Sequence, residues 1–182
     1  AALGLTDGLG ARRVAAAFAL EQDRRERTIA LRRAIWTDAE NMLAWQSAPG
    51  ARQHARNSDA PTRAGHEAWL RQRLVDPLTT LNIVEVDGRP AGLVRLDCLE
   101  ADDARWEVSI LIAPEYQGAG VGLAALAAAR RLMPEVELVA EVLPGNERSH
   151  RLFRAAGYEW RGDHYVHPAR TRARPDKRHA AG

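Results

Sequence analysis

The residues best suited to chemistry form the glycine-rich segment Gln-Gly-Ala-Gly-Val-Gly, which follows a predicted strand and opens a predicted helix. Glycines let the backbone approach a ligand closely, because they carry no side chain. The free amides at a helix start, together with the helix dipole, bind phosphate oxygens. The segment is therefore a candidate pyrophosphate site, and its members are Gln117, Gly118, Ala119, Gly120, Val121 and Gly122.

The surroundings of this segment disfavour two other phosphate motifs. A Rossmann unit requires Gly-x-Gly-x-x-Gly in a parallel βαβ unit with an acidic residue downstream, but here the preceding strands form hairpins. A Walker loop requires Gly-Lys followed by Ser or Thr, which the segment lacks. A tight connection that binds no ligand is the plain alternative to a phosphate site.

The strand predicted over residues 105 to 112 has two unlike faces. Val108, Ile110 and Ile112 share one face, and Glu107, Ser109 and Leu111 share the other. A polar face beside an apolar one fits a sheet that meets a ligand, although a solvated or ion-paired glutamate is the alternative for Glu107. No cluster of His, Cys, Asp and Glu has metal-ligand spacing, so no metal is expected.

Apolar periodicity and the positions of turn and cap residues predict the helices and strands that position these residues. Asp87-Gly88 predicts a hairpin, Thr37 and Glu40 predict a capping box, and Asn146 predicts a helix N-cap. The predicted strands are 28–32, 81–86, 91–96, 105–112, 136–142 and 158–166, and the predicted helices are 37–46, 63–75, 121–132 and 147–156. This order predicts the mixed α/β fold class.

Length and composition predict one catalytic domain with two flanks. The chain has 182 residues, and domains cluster near roughly 100 to 150 residues. Residues 1–27 are predicted to be a helical leader or the tail of an upstream domain. Residues 28–167 are predicted to form the domain, and residues 168–182 a basic, disordered tail.

Charge, cysteine content and hydropathy exclude several classes of protein. The net charge is +2, and the arginine clusters at both ends lack interleaved aromatic residues, so no nucleic-acid partner is expected. The single Cys98 forms no internal disulfide, which favours the cytoplasm. No stretch approaches the roughly 20 apolar residues that span a bilayer, so no membrane partner is expected.

Two motifs in this chain resemble the signatures of the GNAT acetyltransferase family. The pattern Gln/Arg-x-x-Gly-x-Gly/Ala is matched by Gln117, Gly120 and Gly122, and the second signature is matched by residues 146–158. The resemblance covers about residues 28 to 166. It implies a GNAT fold with a mixed central sheet, flanking helices and a splayed strand pair, here 106–112 and 136–142, that holds acetyl-CoA as the co-substrate.

The resemblance also implies direct acetyl transfer to a neutral amine. In the family, the amides of the glycine loop hold the pyrophosphate of coenzyme A, and the pantetheine arm lies between the splayed strands. The implied acetyl-CoA residues outside the glycine loop are Ile110, Leu111, Ile112, Asn146, Ser149 and Phe153. Asn146 is expected to bond the pantetheine as well as to cap its helix, although the cap alone would explain it.

The catalytic assignments follow from the position of the implied thioester. Glu107 is the candidate base for deprotonating the amine, and Glu141 on the neighbouring strand is the second choice. Many relatives have a general-acid tyrosine where this chain has Phe153. Protonation of the thiolate is then left to water, to the substrate ammonium, or to Tyr158, Tyr116 or Ser149.

The acceptor is expected to be a small-molecule amine. Segments around Trp45, Trp69 and residues 88–97 are similar to a narrower group that acetylates the 4-amino group of UDP-linked 4-amino-4,6-dideoxy sugars in pseudaminic acid biosynthesis. For such a substrate the candidate contacts are Trp45, Arg52, His54 and Arg56. Acetylation of a protein N-terminus or of an aminoglycoside-like amine, and a non-catalytic acyl-CoA sensor, are the alternatives.

Partners beyond the acceptor are suggested by the leader. Residues 2–14 resemble the end of the nucleotide-sugar hydrolase domain that precedes such acetyltransferases in fused proteins, which predicts an upstream fused domain. An unrelated helical leader would look much the same. A homodimer is left open.

Overall fold

The computed structural model describes residues 20–54, 57, 59–100 and 104–170, and these residues surround one eight-stranded sheet. The strands are β1 (Leu20–Gln22), β2 (Thr28–Arg33), β3 (Thr79–Val86), β4 (Arg89–Cys98), β5 (Arg105–Ile112), β6 (Glu137–Glu141), β7 (Glu159–Trp160) and β8 (His164–His167). The helices are α1 (Ala39–Ser47), α2 (Arg63–Val75), α3 (Val121–Leu132) and α4 (Glu147–Ala155). The strand order is β1-β2-β3-β4-β5-β6-β8-β7, and only β5 and β6 pair in parallel. The predicted mixed α/β class is therefore confirmed.

The helices cover both faces of the sheet, because alternate strand residues point to opposite sides. On one face, Trp106 and Val108 of β5 pack in a large core with α3 and with Phe153 of α4. On the other face, a smaller core joins Leu93 of β4 to α1 and α2, with Met42 and Leu70 fully buried. The site borders both cores, since Trp45 and Leu93 of the smaller core and Phe153 of the larger core line it.

The β3–β4 hairpin turns over two residues. Asp87 and Gly88 have φ angles of 49° and 76°, so both adopt the left-handed conformation that a type I′ turn requires. This turn matches the right-handed twist of the strands, which is why Asp-Gly between alternating apolar residues predicted it.

The parallel strands β5 and β6 separate soon after they meet. Their pairing comprises Arg105 with Glu137, Trp106 with Leu138, and Glu107 with Val139. Residues 108–112 then continue beside β4 alone. The structure therefore contains the splayed strand pair that the sequence predicted, and the gap opens beside Glu107.

Three local predictions are corrected by the structure. Leu20–Gln22, placed in a helical leader, forms strand β1 against β2, whereas residues 1–19 lie outside the described part of the chain. The closing strand is two short strands, because residues 161–163 turn back between them. Glu40 does not close a capping box; its carboxylate binds Arg63, and Asp38 accepts the amide of Ile35 at 2.9 Å. Of the predicted tail 168–182, only residues 168–170 are described.

Candidate active site

A cleft of about 1040 Å³ follows the gap between β5 and β6 and continues under the loop that links α1 to α2. Its walls come from the outer halves of the splayed strands, the start of α4, and the α1–α2 region. The sequence-predicted residues that line it are Trp45, Arg52, His54, Glu107, Ile110, Leu111, Ile112, Gln117, Glu141, Asn146, Ser149 and Phe153. The fold thus brings residues from six segments to one cavity.

The glycine loop lies at the end of β5, directly before α3. Gln117 holds it in place, because its Nε2 donates to the carbonyl of Ile112 at 2.7 Å and its Oε1 accepts from Arg148. Gly118 and Gly120 have φ angles of 82° and 90°, which favour glycine. No side chain caps α3 at Gly120, so the first amides of the helix are left for a ligand.

Three other loop residues, Ala119, Val121 and Gly122, face the protein interior. The side chains of Ala119 and Val121 are buried, and Gly122 packs against Leu152 of α4, where an added Cβ would be 3.4 Å away. Of the six segment residues, Gln117 lines the cleft. Any contact from the remaining five to a phosphate would therefore be made by backbone amides.

One face of α4 borders the cleft. Asn146 caps the helix, as predicted, since its Oδ1 accepts the amide of Ser149 at 3.1 Å. Asn146, Ser149 and Phe153 all line the cavity, because their spacing places them on neighbouring turns. Phe153 is only 4% exposed and stacks on Tyr165 with ring centroids 5.7 Å apart. Its ring therefore forms an apolar part of the cleft wall.

The two candidate bases lie on either side of the gap. Glu107 of β5 is half-buried and lines the cleft beside Ser109. Glu141 of β6 also lines it but is exposed. Behind Ser109, Arg95 of β4 donates to the serine hydroxyl at 3.4 Å and pairs with Asp97 at 2.7 Å.

The catalytic assignment of Tyr158 is contradicted by its position. Its side chain is 4% exposed and packs edge-on against Phe153 and His167, in the core rather than in the cleft. Burial raises the pKa of the Tyr158 hydroxyl well above its usual value, in spite of the nearby Arg130. Such a hydroxyl holds its proton strongly and lies away from the cavity, so it cannot protonate a leaving thiolate there.

The predicted acceptor residues gather at the α1–α2 end of the cleft. Trp45 is largely buried and presents part of its ring to the cavity. Arg52 donates to the carbonyl of Asn57, which folds the loop back on itself, and His54 lies close by in the lining. Arg56 lies outside the described residues.

Among the lining residues that the sequence analysis did not name as site residues are His66, Trp69 and Arg95. His66 is 3% exposed, its Nε2 bonds the carbonyl of Ala39 at 3.1 Å, and its ring stacks on Trp69. Burial lowers the pKa of His66 below its usual value, so its ring is neutral near pH 7. The i, i+3 spacing of His66 and Trp69 and the cross-strand position of Arg95 against Ser109 were the available signals.

No group of three or more His, Cys, Asp and Glu side chains among the described residues could hold a metal ion. None of the helices in the same part of the chain has the length and apolar content to cross a membrane.

Comparison with known sequences identifies the family. The profile described as acetyltransferase (GNAT) domain matches residues 28–159, which is most of the chain, and the protein therefore belongs to the GNAT acetyltransferases. It is accordingly an acetyl-CoA-dependent N-acetyltransferase. A search of curated proteins found no match.

Solved structures share the fold at low sequence identity. Aminoglycoside acetyltransferase AAC(6')-Ib in complex with ribostamycin and coenzyme A is 22% identical with a TM-score of 0.68, over 81% of this chain and 98% of that one. The ribosomal L7/L12 alpha-N-protein acetyltransferase RimL with coenzyme A is 11% identical with a TM-score of 0.67, over 78% and 94%. Spermidine N-acetyltransferase from Vibrio cholerae, with coenzyme A and spermine, is 17% identical with a TM-score of 0.68, over 76% and 92%.

Proposed function

We propose that the chain acetylates the 4-amino group of a UDP-linked amino-dideoxy sugar. The observation that carries this proposal is the composition of the acceptor end of the cleft. There the lining combines two indole rings, Trp45 and Trp69, with the cations Arg52 and Arg95. Over the described lining as a whole, four arginines stand against three carboxylates, which are Glu107, Glu141 and Glu147.

This lining suits an anionic, partly apolar acceptor better than a polycation. A tryptophan ring covers the apolar face of a sugar, and a guanidinium bonds two oxygens of a diphosphate through its planar fork. Aminoglycosides and spermidine carry several positive charges and require a cleft rich in carboxylates. The neutral His66 adds no charge of its own, and its ring extends the surface formed by Trp69.

In the proposed reaction, Glu107 removes one proton from the acceptor ammonium, directly or through one water. The neutral amine nitrogen then bonds to the acetyl carbon, the carbon–sulfur bond breaks, and the nitrogen loses a second proton, which passes to the departing thiolate. Phe153 has no hydroxyl to relay this proton, and Tyr158 lies outside the cleft. Of the hydroxyls named from the sequence, Ser149 is the one in the lining, so we assign the relay of this proton to Ser149 or to water held there.

The acceptor is tested by measuring free coenzyme A released from acetyl-CoA with a panel of amines. The panel contains a UDP-4-amino-4,6-dideoxy sugar, the same sugar without the nucleotide, N-terminal peptides, spermidine and an aminoglycoside. Selective turnover of the UDP-sugar supports the proposal. Faster turnover of a peptide or of a polyamine overturns it in favour of that class of acceptor.

The cation Arg52 offers a second, more local test. Changing Arg52 to Gln should raise KM for the UDP-sugar about tenfold and leave KM for acetyl-CoA unchanged, because Arg52 lies at the acceptor end only. Arg161→Gln is the matched control, since Arg161 pairs with Glu159 on the exposed β7 hairpin, outside the cleft. Equal effects of the two variants would argue against a diphosphate contact.

A further inference from the structure

The turn between β1 and β2, residues 23–27, lies against the glycine loop. Its amide at Arg24 donates to the carbonyl of Ala119 at 3.3 Å. The Cγ of Arg24 lies so close to Gly120 that a Cβ added there would be 2.9 Å from it. From the same turn, the guanidinium of Arg27 stands 5.8 Å from the centre of the Tyr116 ring. A segment outside the matched family region thus contacts the loop at Ala119 and Gly120 and lies over Tyr116 just before it.

Asp23 gives this turn a defined shape. Its side chain is fully buried, and Oδ1 accepts the amides of Arg25 at 2.8 Å and Arg27 at 3.1 Å. Oδ2 accepts the Nε of Arg27 at 2.8 Å. Burial alone would raise the pKa of Asp23, but these hydrogen bonds lower it, so the carboxylate stays charged at neutral pH. The turn is therefore held rigidly, and Arg24 is held with it.

The beginning of β1 is also held in place by contacts with α3. Arg131, near the end of α3, pairs with Glu21 at 2.7 Å and donates to the carbonyl of Leu20 at 2.8 Å. The β1 segment therefore runs beside α3 from its last turn to its first. This attachment fixes where the turn meets the helix N-terminus.

Arg24 is the residue of this turn that is placed to meet a ligand. Its stem crosses Gly120, and the residue is exposed. Within the described part of the chain, its guanidinium has no acidic partner, unlike that of Arg27, which binds Asp23. A cation held beside the free amides of α3 adds to the attraction that these amides exert on phosphate oxygens.

We infer that Arg24 is a coenzyme A phosphate-binding residue, positioned by the Asp23 turn on the side of the glycine loop opposite α4. The inference rests on the acetyl-CoA dependence of the family and not on the identity of the acceptor. Arg24 then acts on the nucleotide end of the coenzyme, far from the acetyl group. Its loss should weaken coenzyme A binding without changing the chemical step.

The test measures binding by calorimetry for coenzyme A, 3′-dephospho-coenzyme A and pantetheine, with the wild type and with Arg24→Gln. We expect Arg24→Gln to weaken coenzyme A about tenfold and to leave pantetheine, which has no phosphate, unchanged. If Arg24→Gln weakens 3′-dephospho-coenzyme A as much as coenzyme A, Arg24 contacts the pyrophosphate. If it does not weaken 3′-dephospho-coenzyme A, Arg24 contacts the 3′-phosphate.

Arg25→Gln is the matched control, because it removes the same charge from the neighbouring exposed position without a contact to the loop. It should change the affinity for coenzyme A less than twofold. If both variants lose the same affinity for coenzyme A, the effect comes from net charge and not from a contact of Arg24. If Arg24→Gln weakens pantetheine as much as coenzyme A, the effect comes from a change in loop structure. Either result overturns the inference. Asp23→Asn should reproduce the phosphate-dependent loss, since it frees the turn.

Discussion

Glu107 stands opposite Asp97 across the β4–β5 pair, on the strand face that borders the acceptor end of the cleft. Two facing carboxylates repel each other, but Asp97 is paired with Arg95 at 2.7 Å and lies 3.9 Å from Arg73. These arginines offset the repulsion. Glu107 therefore lies beside the gap where the two strands separate, opposite a carboxylate that is already paired with arginine.

Replacing Glu107 by Gln removes the proposed base and keeps the size of the side chain. Turnover should fall by roughly 10²- to 10⁴-fold, the usual contribution of general-base catalysis, while the affinity for acetyl-CoA stays the same. Steady-state kinetics and calorimetry measure the two effects. Glu141→Gln is the matched control and should change turnover little; the reverse ranking would assign the base to Glu141.

Tyr158 provides a prediction of the opposite kind. Its buried hydroxyl has no hydrogen-bond partner among the described residues, so Tyr158→Phe should leave kcat unchanged and raise the free energy of unfolding by about 1 kcal/mol. Denaturant unfolding and steady-state kinetics give both quantities. Ser149→Ala, by contrast, should lower kcat. A tenfold loss of kcat in Tyr158→Phe would return this tyrosine to the mechanism.

The sequence identified those candidate site residues whose role depends on their neighbours along the chain. Gln117 and Asn146 were identified because local signals, a glycine turn and a helix start, surround them. Tyr158 was misplaced because the sequence does not show which side of α4 its ring reaches. His66 and Arg95 were missed because their role depends on contacts with Ala39 and Ser109, which are far away along the chain.

At the level of elements, the glycine loop combines two different requirements. Gly118 needs only its positive φ, since a Cβ there would meet nothing within 4 Å. Gly120 has a positive φ and also no room for a side chain, because Arg24 occupies that space. The loop is thus shaped by its own backbone on one side and by the β1–β2 turn on the other.

Alanine at each position should separate these requirements. Gly118→Ala should cost about 1 kcal/mol of stability, from the left-handed backbone alone. Gly120→Ala should cost more and should also weaken coenzyme A binding, because Arg24 must move. Thermal unfolding and calorimetry measure both effects. Equal costs at the two positions would show that the contact with Arg24 does not constrain the loop.

Most elements were predictable because their signals are local. The helix bounds 63–75 and 121–132 and the strand 105–112 agree with the structure, since caps, glycines and apolar periodicity mark them. β1 was not predictable, because Leu20–Gln22 is too short for a periodic signal and forms a strand through its pairing with β2. The capping box failed because Glu40 binds the distant Arg63 instead.

For the whole molecule, three buried titratable groups contribute to the response to acid. Burial alone would raise the pKa of Asp38, but hydrogen bonds from Arg32 and from the amide of Ile35 lower it; Asp23 behaves alike through Arg27. Burial lowers the pKa of His66. In each case the unfolded chain binds a proton at a higher pH than the folded chain, so acid favours unfolding.

The free energy of unfolding should therefore fall in two stages as the pH decreases. The first stage begins below about 6.5, where the unfolded His66 gains its proton, and its slope is at most about 1.4 kcal/mol per pH unit. The second begins near pH 4, where the unfolded forms of Asp23 and Asp38 are protonated. Denaturant unfolding at a series of pH values shows both stages. His66→Gln should remove the first stage alone; a first stage that persists in this variant would contradict the assignment.

Because β5 and β6 pair over a short length, a ligand bound between them would help to hold the two halves of the sheet together. In the described part of the chain, three residue pairs join the five-strand half of the sheet to the three-strand half, so the backbone pairing between the two halves is short. A pantetheine arm laid in the gap would bridge the two halves much as an extra strand does. Coenzyme A should then slow hydrogen exchange in β6 and β8 as well as in the loop that holds its phosphates. The enzyme would be most rigid with its coenzyme bound.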